Sequence, residues 1–472
     1  MWPFNKKKKK RKIRTYQAAS IGRLTADWNV QPTSADADII PSLKLLRARS
    51  RDLCQNNDYA KRFMSMLKVN VVGPKGILLQ NKARDKNGKY DVAANEKIET
   101  AWKKWGKKGT CTMCGGYSWT GLQQAIIEAV ARDGEVLIQK VLTGPYGFAL
   151  HLIEIDHLDE DYNIPRERIK GGVKRDKWGR PMSYFLLSDH PGDNAGVVTR
   201  RNHVEISAEQ IIHLFIKERP GQTRGVPWMV TPAYRLKQLG GMEEAELVAS
   251  RIAASKMGFF TSPDGAGFEE DDEESDTGAL ISEAEPGTFE QLPEGMDFTP
   301  WDPNHPNTAF ESFSKSMLRG IASGLNVSYV GLANDLEGVS YSSIRTGELS
   351  DRDAWRLLQG WFIENLIDLV HGPWLPMALM SNMVDLPYRK KEKFNQPFWR
   401  PRGWHWVDPQ KEITANVEAV KNGFKSLGDV VGEQGHDIDE VFDRLAREKE
   451  LAKQYGLHLP LLFGEQKNAE NQ

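Results

Sequence analysis

Through PSLKLLRARSRDLCQNNDYAKRFMSMLKVNVVG, the residues Leu43, Leu46, Leu53, Tyr59, Phe63, Met66 and Leu67 recur at roughly helical spacing, broken near Asn56 and Asn57. This pattern predicts two helices, or one kinked helix, ending at Gly73. The period then shortens. GILLQ, EVLIQKVL, FALHLIEIDHL, PMSYFLLSD and QIIHLFI are short apolar runs separated by Gly, Pro and Asp, with one helical stretch from Trp119 to Arg132 among them. A region that mixes both periods reads as α+β.

From Val226 to Met257 the chain is rich in Ala, Leu, Glu, Met and Lys, with early prolines and Gly258 at its end. That composition predicts a helix of about 45 Å. Its small residues Ala245, Ala249, Ala253 and Ala254 favour close packing against a neighbouring helix. GALIS and TFEQL are short strand candidates in the segment that follows. A second helical stripe is Phe310, Phe313, Met317, Ile321 and Leu325, and a third is Trp355, Leu358, Phe362, Leu366 and Leu369, which Pro373 and Pro376 should disturb. Between these stripes lies GLANDLEGVSYSSIRTGE, whose first half is small, polar and conformationally loose, with Gly331 and Gly338 supplying freedom. After about Trp404 the pattern is helical again, with a hairpin at VKNGFKS and a last helix from about Asp437 to Gln454.

The 472-residue chain is 40% hydrophobic and 27% charged, with 63 basic and 64 acidic residues, ordinary values for soluble globular protein. Charge distribution is more informative than its sum. Residues 1–26 hold nine Lys or Arg and no acid, a cationic arm suited to solubilisation, import or nonspecific phosphate contact. Between Met257 and Ser314 stand fifteen acids and no Lys or Arg, including Glu269, Glu270, Asp271, Asp272, Glu273 and Glu274. Such a segment must face solvent, a basic partner, or a passage that phosphates should traverse without sticking. No signal-peptide core and no run of about 18 apolar residues occurs, so a soluble, non-secreted protein without a membrane partner is expected. Three cysteines imply a reducing compartment.

Candidate chemistry is sparse. Cys111 and Cys114 form a CxxC without the second ligand pair a tetrahedral metal site needs, so a turn is the simpler reading. In HLIEIDHLDED, strand alternation would place Glu154 and Asp156 on one face and His151 and His157 on the other, which leaves a metal-dependent nucleic-acid processing enzyme as an alternative. GxSxG, GxxxxGK[ST], HExxH and a helix-opening GxGxxG are all missing from the sequence. The expectation is a structural or binding protein with no cofactor, metal or catalytic residue.

Several stretches in order carry a family resemblance: SADADII, LRARSRDLCQNN, NVVGPKGILLQ, WTGLQQAIIEAVARDGEVLIQ, LIEIDHLD, GRPMSYFLLSDHPGD, HLFIKERPGQTRGVPWM, ELVASRIAA, VSYVGLANDLEGVSYSSIRTGE and WHWVDPQKEITANVEAVKNGF. Over nearly its whole length the chain resembles the lambda-family portal proteins of tailed bacteriophages and prophages. It departs at Ser340, where relatives often carry Asn, and its acidic run at Glu269 is longer than the family requires.

The resemblance implies an α+β portal fold: basic arm 1–35, wing 36–225, stem helix 226–257, acidic clip 258–304, second stem helix 305–327, tunnel loop 328–341, long helix returning to the wing 342–400, and helical crown with polar tail 401–472. It implies a homo-oligomeric ring, usually of twelve subunits, at one capsid vertex of the virion, assembled in the bacterial cytoplasm, through which double-stranded DNA enters and leaves. Implied partners are the terminase packaging motor, the major capsid protein and head-tail connector proteins. Asn334, Asp335, Leu336, Glu337, Gly338, Val339 and Ser340 would face DNA, with Tyr341, Ser342 and Arg345 at the loop's base. The run Glu269–Glu274 would be a partner or channel surface.

Overall fold

The computed structural model describes residues 23, 31–193, 202–254, 258–261, 297–300, 308–337, 340–404, 409–434 and 436–456. Nearly all of the basic arm, the run Glu269–Glu274 and the strand candidates GALIS and TFEQL lie outside these residues.

A short helix α1 (Ala35–Ile39) precedes α2 (Leu43–Asn56) and α3 (Asp58–Leu67). The break between the latter two falls at Asn57, which is extended and accepts the Ala60 amide at 3.1 Å, so the asparagine pair ends one helix and caps the next. A π turn, Lys68–Val72, leads to Gly73 at φ 76.

The α+β region contains β1 (Leu78–Asn81), α4 (Val92–Trp105), α5 (Trp119–Asp133), β2 (Val136–Val141), β3 (Ala149–Ile153), β4 (Ile169–Lys170), β5 (Val173–Arg175), β6 (Pro181–Leu187), β7 (His203–Ser207) and β8 (Ile211–Leu214). They form antiparallel sheets in the orders β3-β2-β8 and β4-β5-β6-β7. The alternation expected through HLIEIDHLDED stops early. β3 ends at Ile153 and Glu154 opens a 3-10 turn, Ile155–His157, so Glu154 and Asp156 do not share a strand face. In the CxxC, Cys111 is buried with its thiol toward the Tyr117 carbonyl, while Cys114 is exposed and accepts the Gly116 amide at 3.4 Å.

The main core is built on tryptophan. Trp102 lies 4.7 Å from both Trp105 and Trp374, with Trp119 and Trp399 at 5.7 and 5.8 Å. Among them sits His371, 1% exposed, whose pKa burial pushes down to about 4. Trp399 comes from β11 (Pro397–Arg400), which pairs antiparallel with β1 in the register Leu79↔Trp399. The C-terminal half of the chain thus closes the core of the N-terminal half.

The long helix expected over Val226–Met257 is α6 (Val230–Ala254). Strands β9 (Gly258–Thr261) and β10 (Asp297–Pro300) then pair antiparallel and tie together the ends of the acidic segment. α7 (Thr308–Gly324) returns alongside α6. Of the small residues of α6, Ala249 is half-buried and the side chains of Ala253 and Ala254 lie outside the described residues; two glycines of α7 make close contacts with α6. A Cβ on Gly320 would overlap the Arg235 guanidinium and one on Gly324 would stand 3.3 Å from Thr231, whereas Ala245 is exposed. Leu236 and Leu239 are buried in the first half of α6, but Leu247 and Val248 are about half exposed in the second.

After the intervening segment, α9 (Tyr341–Phe362) passes through a π turn, Ile363–Ile367, into α10 (Asp368–Met380). The extra residue rotates the stripe, so both Leu366 and Ile367 are buried. Val370, Trp374 and Ala378 then face inward, and Leu369, expected in the stripe, is 48% exposed. Pro373 and Pro376 lie inside α10 without ending it. A local cost of about 3 kcal/mol per proline is offset by burying Trp374, Leu375, Ala378 and Leu379. A short α11 (Lys391–Phe394) precedes β11, and α12 (Pro409–Lys421), α13 (Leu427–Glu433) and α14 (Ile438–Gln454) follow it.

Where α6 leaves the α+β region, a buried charge cluster fixes the junction. Glu135, 0% exposed, accepts Arg224 Nε at 2.8 Å and the Gly225 amide at 2.7 Å, with His213 Nε2 at 2.8 Å and Arg47 Nη1 at 3.5 Å. The Glu135 carboxyl is held well below its usual range by Arg224 and His213, which together outweigh its desolvation. Burial lowers His213, so the neutral imidazole donates from Nε2. The cluster joins α2, β2, β8 and the segment entering α6.

Candidate functional site: the segment between the two long helices

Residues 328–341, expected as a loose loop, are part helix. α7 stops at Gly324, Asn326 takes φ 55, and Ser328 caps a one-turn helix α8 (Tyr329–Ala333), its Oγ accepting the Gly331 amide at 3.2 Å. Gly331 is therefore helical and not a source of freedom. Its lack of a side chain serves packing, because a Cβ there would meet Ser328 Oγ at 3.0 Å and Met66 Cε at 3.1 Å. The irregular part begins at Asn334, which ends α8 in the left-handed region at φ 55, a conformation asparagine tolerates.

Two anchors fix α8. From α9, Asp351 accepts the Ser328 amide at 2.9 Å and the Ser328 hydroxyl at 2.5 Å, and burial raises its pKa. From α3, Arg62 Nε donates to the Gly331 carbonyl at 3.2 Å. Asp351→Ala leaves the Ser328 amide without its acceptor and should cost about 1–3 kcal/mol. We expect faster limited proteolysis within residues 334–340 and a lower thermal midpoint; cleavage at the native rate would show that Asp351 does not hold the segment.

The predicted loop residues divide into held and presented ones. Asp335 accepts the Tyr329 hydroxyl at 2.6 Å and the Glu337 amide at 3.0 Å, and lies 3.8 Å from Lys315 Nζ. The Tyr329 hydrogen bond lowers the Asp335 pKa, while burial and then Asp335 raise that of Tyr329 to about 12. Asn334, Glu337 and Ser340 are exposed, and Leu336 is 63% exposed. Gly338 and Val339 lie outside the described residues, as do the side chains of Tyr341 and Ser342, whose backbone begins α9. Arg345 is one turn into α9 and pairs with Glu412 of α12 at 3.6 Å, linking this helix to the C-terminal helices. Among the described residues of 334–340 the exposed side chains are thus one leucine, one glutamate and small polar groups, with Lys315 of α7 the adjoining cation, 3.9 Å from Glu337.

The Glu154 and Asp156 alternative leads elsewhere. With His190 they offer three ligand atoms within 4.8 Å of one another. However, Asp156 is already paired with Arg51 and has Arg47 Nε at 3.5 Å, and Arg51 also lies 3.3 Å from Glu154. Two guanidiniums on these carboxylates repel a cation and supply its charge, so the cluster is an ion-pair network binding α2 to the β3 turn.

Sequence reasoning passed over the Glu135 cluster and Asp351. Their only local signals are an acid opening an apolar strand and an acid one turn before Trp355, which gain meaning only from distant partners.

Comparison with known proteins places these features in context. A model of phage portal proteins of the lambda family matches residues 21–359. The chain is 35% identical over 460 residues to the probable portal protein of Halomonas phage phiHAP-1, covering 95% of this chain and 88% of that one. It is 22% identical over 495 residues to portal protein B of Escherichia phage lambda, covering 94% and 90%. Among solved structures, a chain from the neck of an empty gene transfer agent particle aligns with a TM-score of 0.48 at 14% identity, covering 83% of this chain and 93% of that one.

Proposed function

The chain belongs to the lambda family of phage portal proteins, and from that premise we propose which of its parts make the ring and which meet the DNA. Copies of the chain close a ring, usually of twelve, at one capsid vertex. The second half of α6 and the C-terminal helices supply contacts between copies, because Leu247, Val248, Ile413, Val417, Phe424, Phe442 and Tyr455 are exposed apolar residues that the described residues of one subunit do not cover. The acidic segment between β9 and β10 is the docking surface for the terminase motor and later for connector proteins. The motor supplies ATP hydrolysis, and the wing meets the capsid protein.

The observation that carries the channel reading is the contrast within residues 328–340. Their first half is pinned by Asp351 and Arg62, while Asn334–Ser340 projects Leu336 and Glu337 outward. A channel constriction needs a fixed root and a tip that phosphates do not grip. Leu336 and Glu337 are not cationic, and the adjoining Lys315 is paired with Glu311 at 2.5 Å and lies near Asp335 and Glu337 at 3.8 and 3.9 Å, so contact is steric, directed to the backbone and independent of sequence. Deleting Glu337–Ser340 should preserve ring particles in negative stain and reduce packaged or retained DNA. Normal packaging by such rings would remove the loop from the mechanism.

A further inference from the structure

His371 has no task in the channel, yet it stands where the two halves of the chain meet. Its imidazole lies 5.5 Å from the ring of Trp102 on α4, 5.6 Å from Trp374 in its own helix α10, and 5.5 Å from Trp399 on β11. The Trp102 and Trp399 rings meet it edge to face, and none of the three indoles is more than 9% exposed. Trp399 sits in the β1–β11 ladder opposite Leu79, so the imidazole is enclosed by residues from both sides of the seam between the N-terminal and C-terminal halves. Asn395, on the link between α11 and β11, hydrogen-bonds to the imidazole, and Nε2 has no hydrogen-bond partner among the described residues.

This enclosure accepts the neutral ring and not the charged one. Among the described residues no acid pairs with His371. Asp368, one turn earlier on α10, is exposed and accepts Trp399 Nε1 at 2.6 Å, and Glu99, one turn before Trp102 on α4, accepts the Asn81 amide at 2.8 Å. Glu96 of α4 and Glu392 of α11 are exposed, and Lys97 of α4 pairs with Asp385 at 3.0 Å. Further cations stand on the same elements: Lys103 and Lys104 on α4, Arg400 beside Trp399 on β11, and Lys391 and Lys393 on α11, the last held by Asp85 and Asp91. Indole faces would offset part of the desolvation of an imidazolium, but burial prevails over the Asn395 bond and pushes the pKa from its usual 6.5 down to about 4. Because folding lowers this pKa, the stability contributed by the neutral ring is whole above about pH 6.5 and is lost as the pH falls toward about 4.

We propose that His371 is a pH-sensitive pin in this seam. Neutral, it completes the packing of Trp102, Trp374 and Trp399. On taking a proton in mildly acidic solution it must reach water, which parts β11 from α4 and loosens the C-terminal helices that follow. The device belongs to the fold of one subunit and does not depend on the ring or on DNA.

The test follows the thermal midpoint and the tryptophan emission maximum of the full-length protein from about pH 7 to about pH 4.5. The native midpoint should fall across this range, and emission should shift to the red in the acidic samples and recover on return to neutral pH. His371→Phe, which keeps a ring among the tryptophans and cannot take a proton, should show a fall smaller by about 2–4 °C and no red shift. His213, also buried with a lowered pKa, adds a fall of the same sign, so the difference between variant and native decides. Asn395→Asp sets a carboxylate against the imidazole and should move the red shift to lower pH. A fall and a red shift in His371→Phe equal to the native ones would overturn the proposal. Should that variant not fold, Asn395→Asp decides alone, and a red shift at the native pH overturns it.

Discussion

Glu135→Ala should lower the stability of the chain by about 3–5 kcal/mol, the largest effect expected of any single side-chain truncation here. The carboxylate is 0% exposed, and Arg224, 0% exposed, loses with it the carboxylate 2.7 Å away, while Arg47 keeps Glu160 and Asp156. The Gly225 amide and His213 lose their acceptor as well. Water cannot replace what is removed without opening the junction of α2, β2, β8 and the segment entering α6. The measurement is the thermal or urea midpoint of purified protein against the native chain, with a fall of roughly 10 °C or more expected. A midpoint within a degree or two of native would mean that the guanidiniums are already solvated and that the cluster does not fix the junction.

Gly225→Ala should be nearly as damaging for a different reason. A Cβ at this position would stand 2.2 Å from the Gly134 carbonyl oxygen, 2.7 Å from Phe215 Cβ and 2.8 Å from Glu135 Cβ. Gly134 is at φ 89, and a Cβ there would lie 2.5 Å from the Val226 carbonyl carbon, so two backbones cross with no room for side chains on either. Because Gly225 does not need a positive φ, its substitution isolates the crossing from any backbone preference. Overpacking ordinarily costs about 1–3 kcal/mol, and rotamer changes cannot relieve a clash with a carbonyl, so the cost should reach the top of that range or exceed it. Gly240→Ala, inside α6 with nothing within 4 Å, is the control and should raise stability by roughly 0.5–1 kcal/mol. Equal midpoints for the two variants would show that the crossing accommodates a methyl group.

Both predictions concern the point where the long helix leaves the α+β region, and neither was visible along the chain. EVLIQ announces a strand, but nothing in it says that its first residue will be buried against an arginine 89 positions later. The channel segment shows a similar limit. Its polarity marked it as exposed, and Leu336 and Glu337 are, yet the same composition concealed α8, because Ser328, Tyr329 and Gly331 acquire their roles from Asp351, Asp335 and Met66. The π turn after Phe362 moved the stripe by one residue, a shift that periodicity cannot register since it assumes one pitch throughout.

Local pattern determined what is local: which stretches are helix or strand, that α2 and α3 part at an asparagine, that two long helices enclose an acidic segment, and that no familiar catalytic motif is present. The ordered run of motifs determined the family, because many weak matches in sequence order are jointly specific. Tertiary structure alone decided where charges find partners and which glycines are needed for close approach. Pairing, crossing and clustering depend on distances between residues far apart in the chain, and folding sets those distances through packing that no single segment encodes.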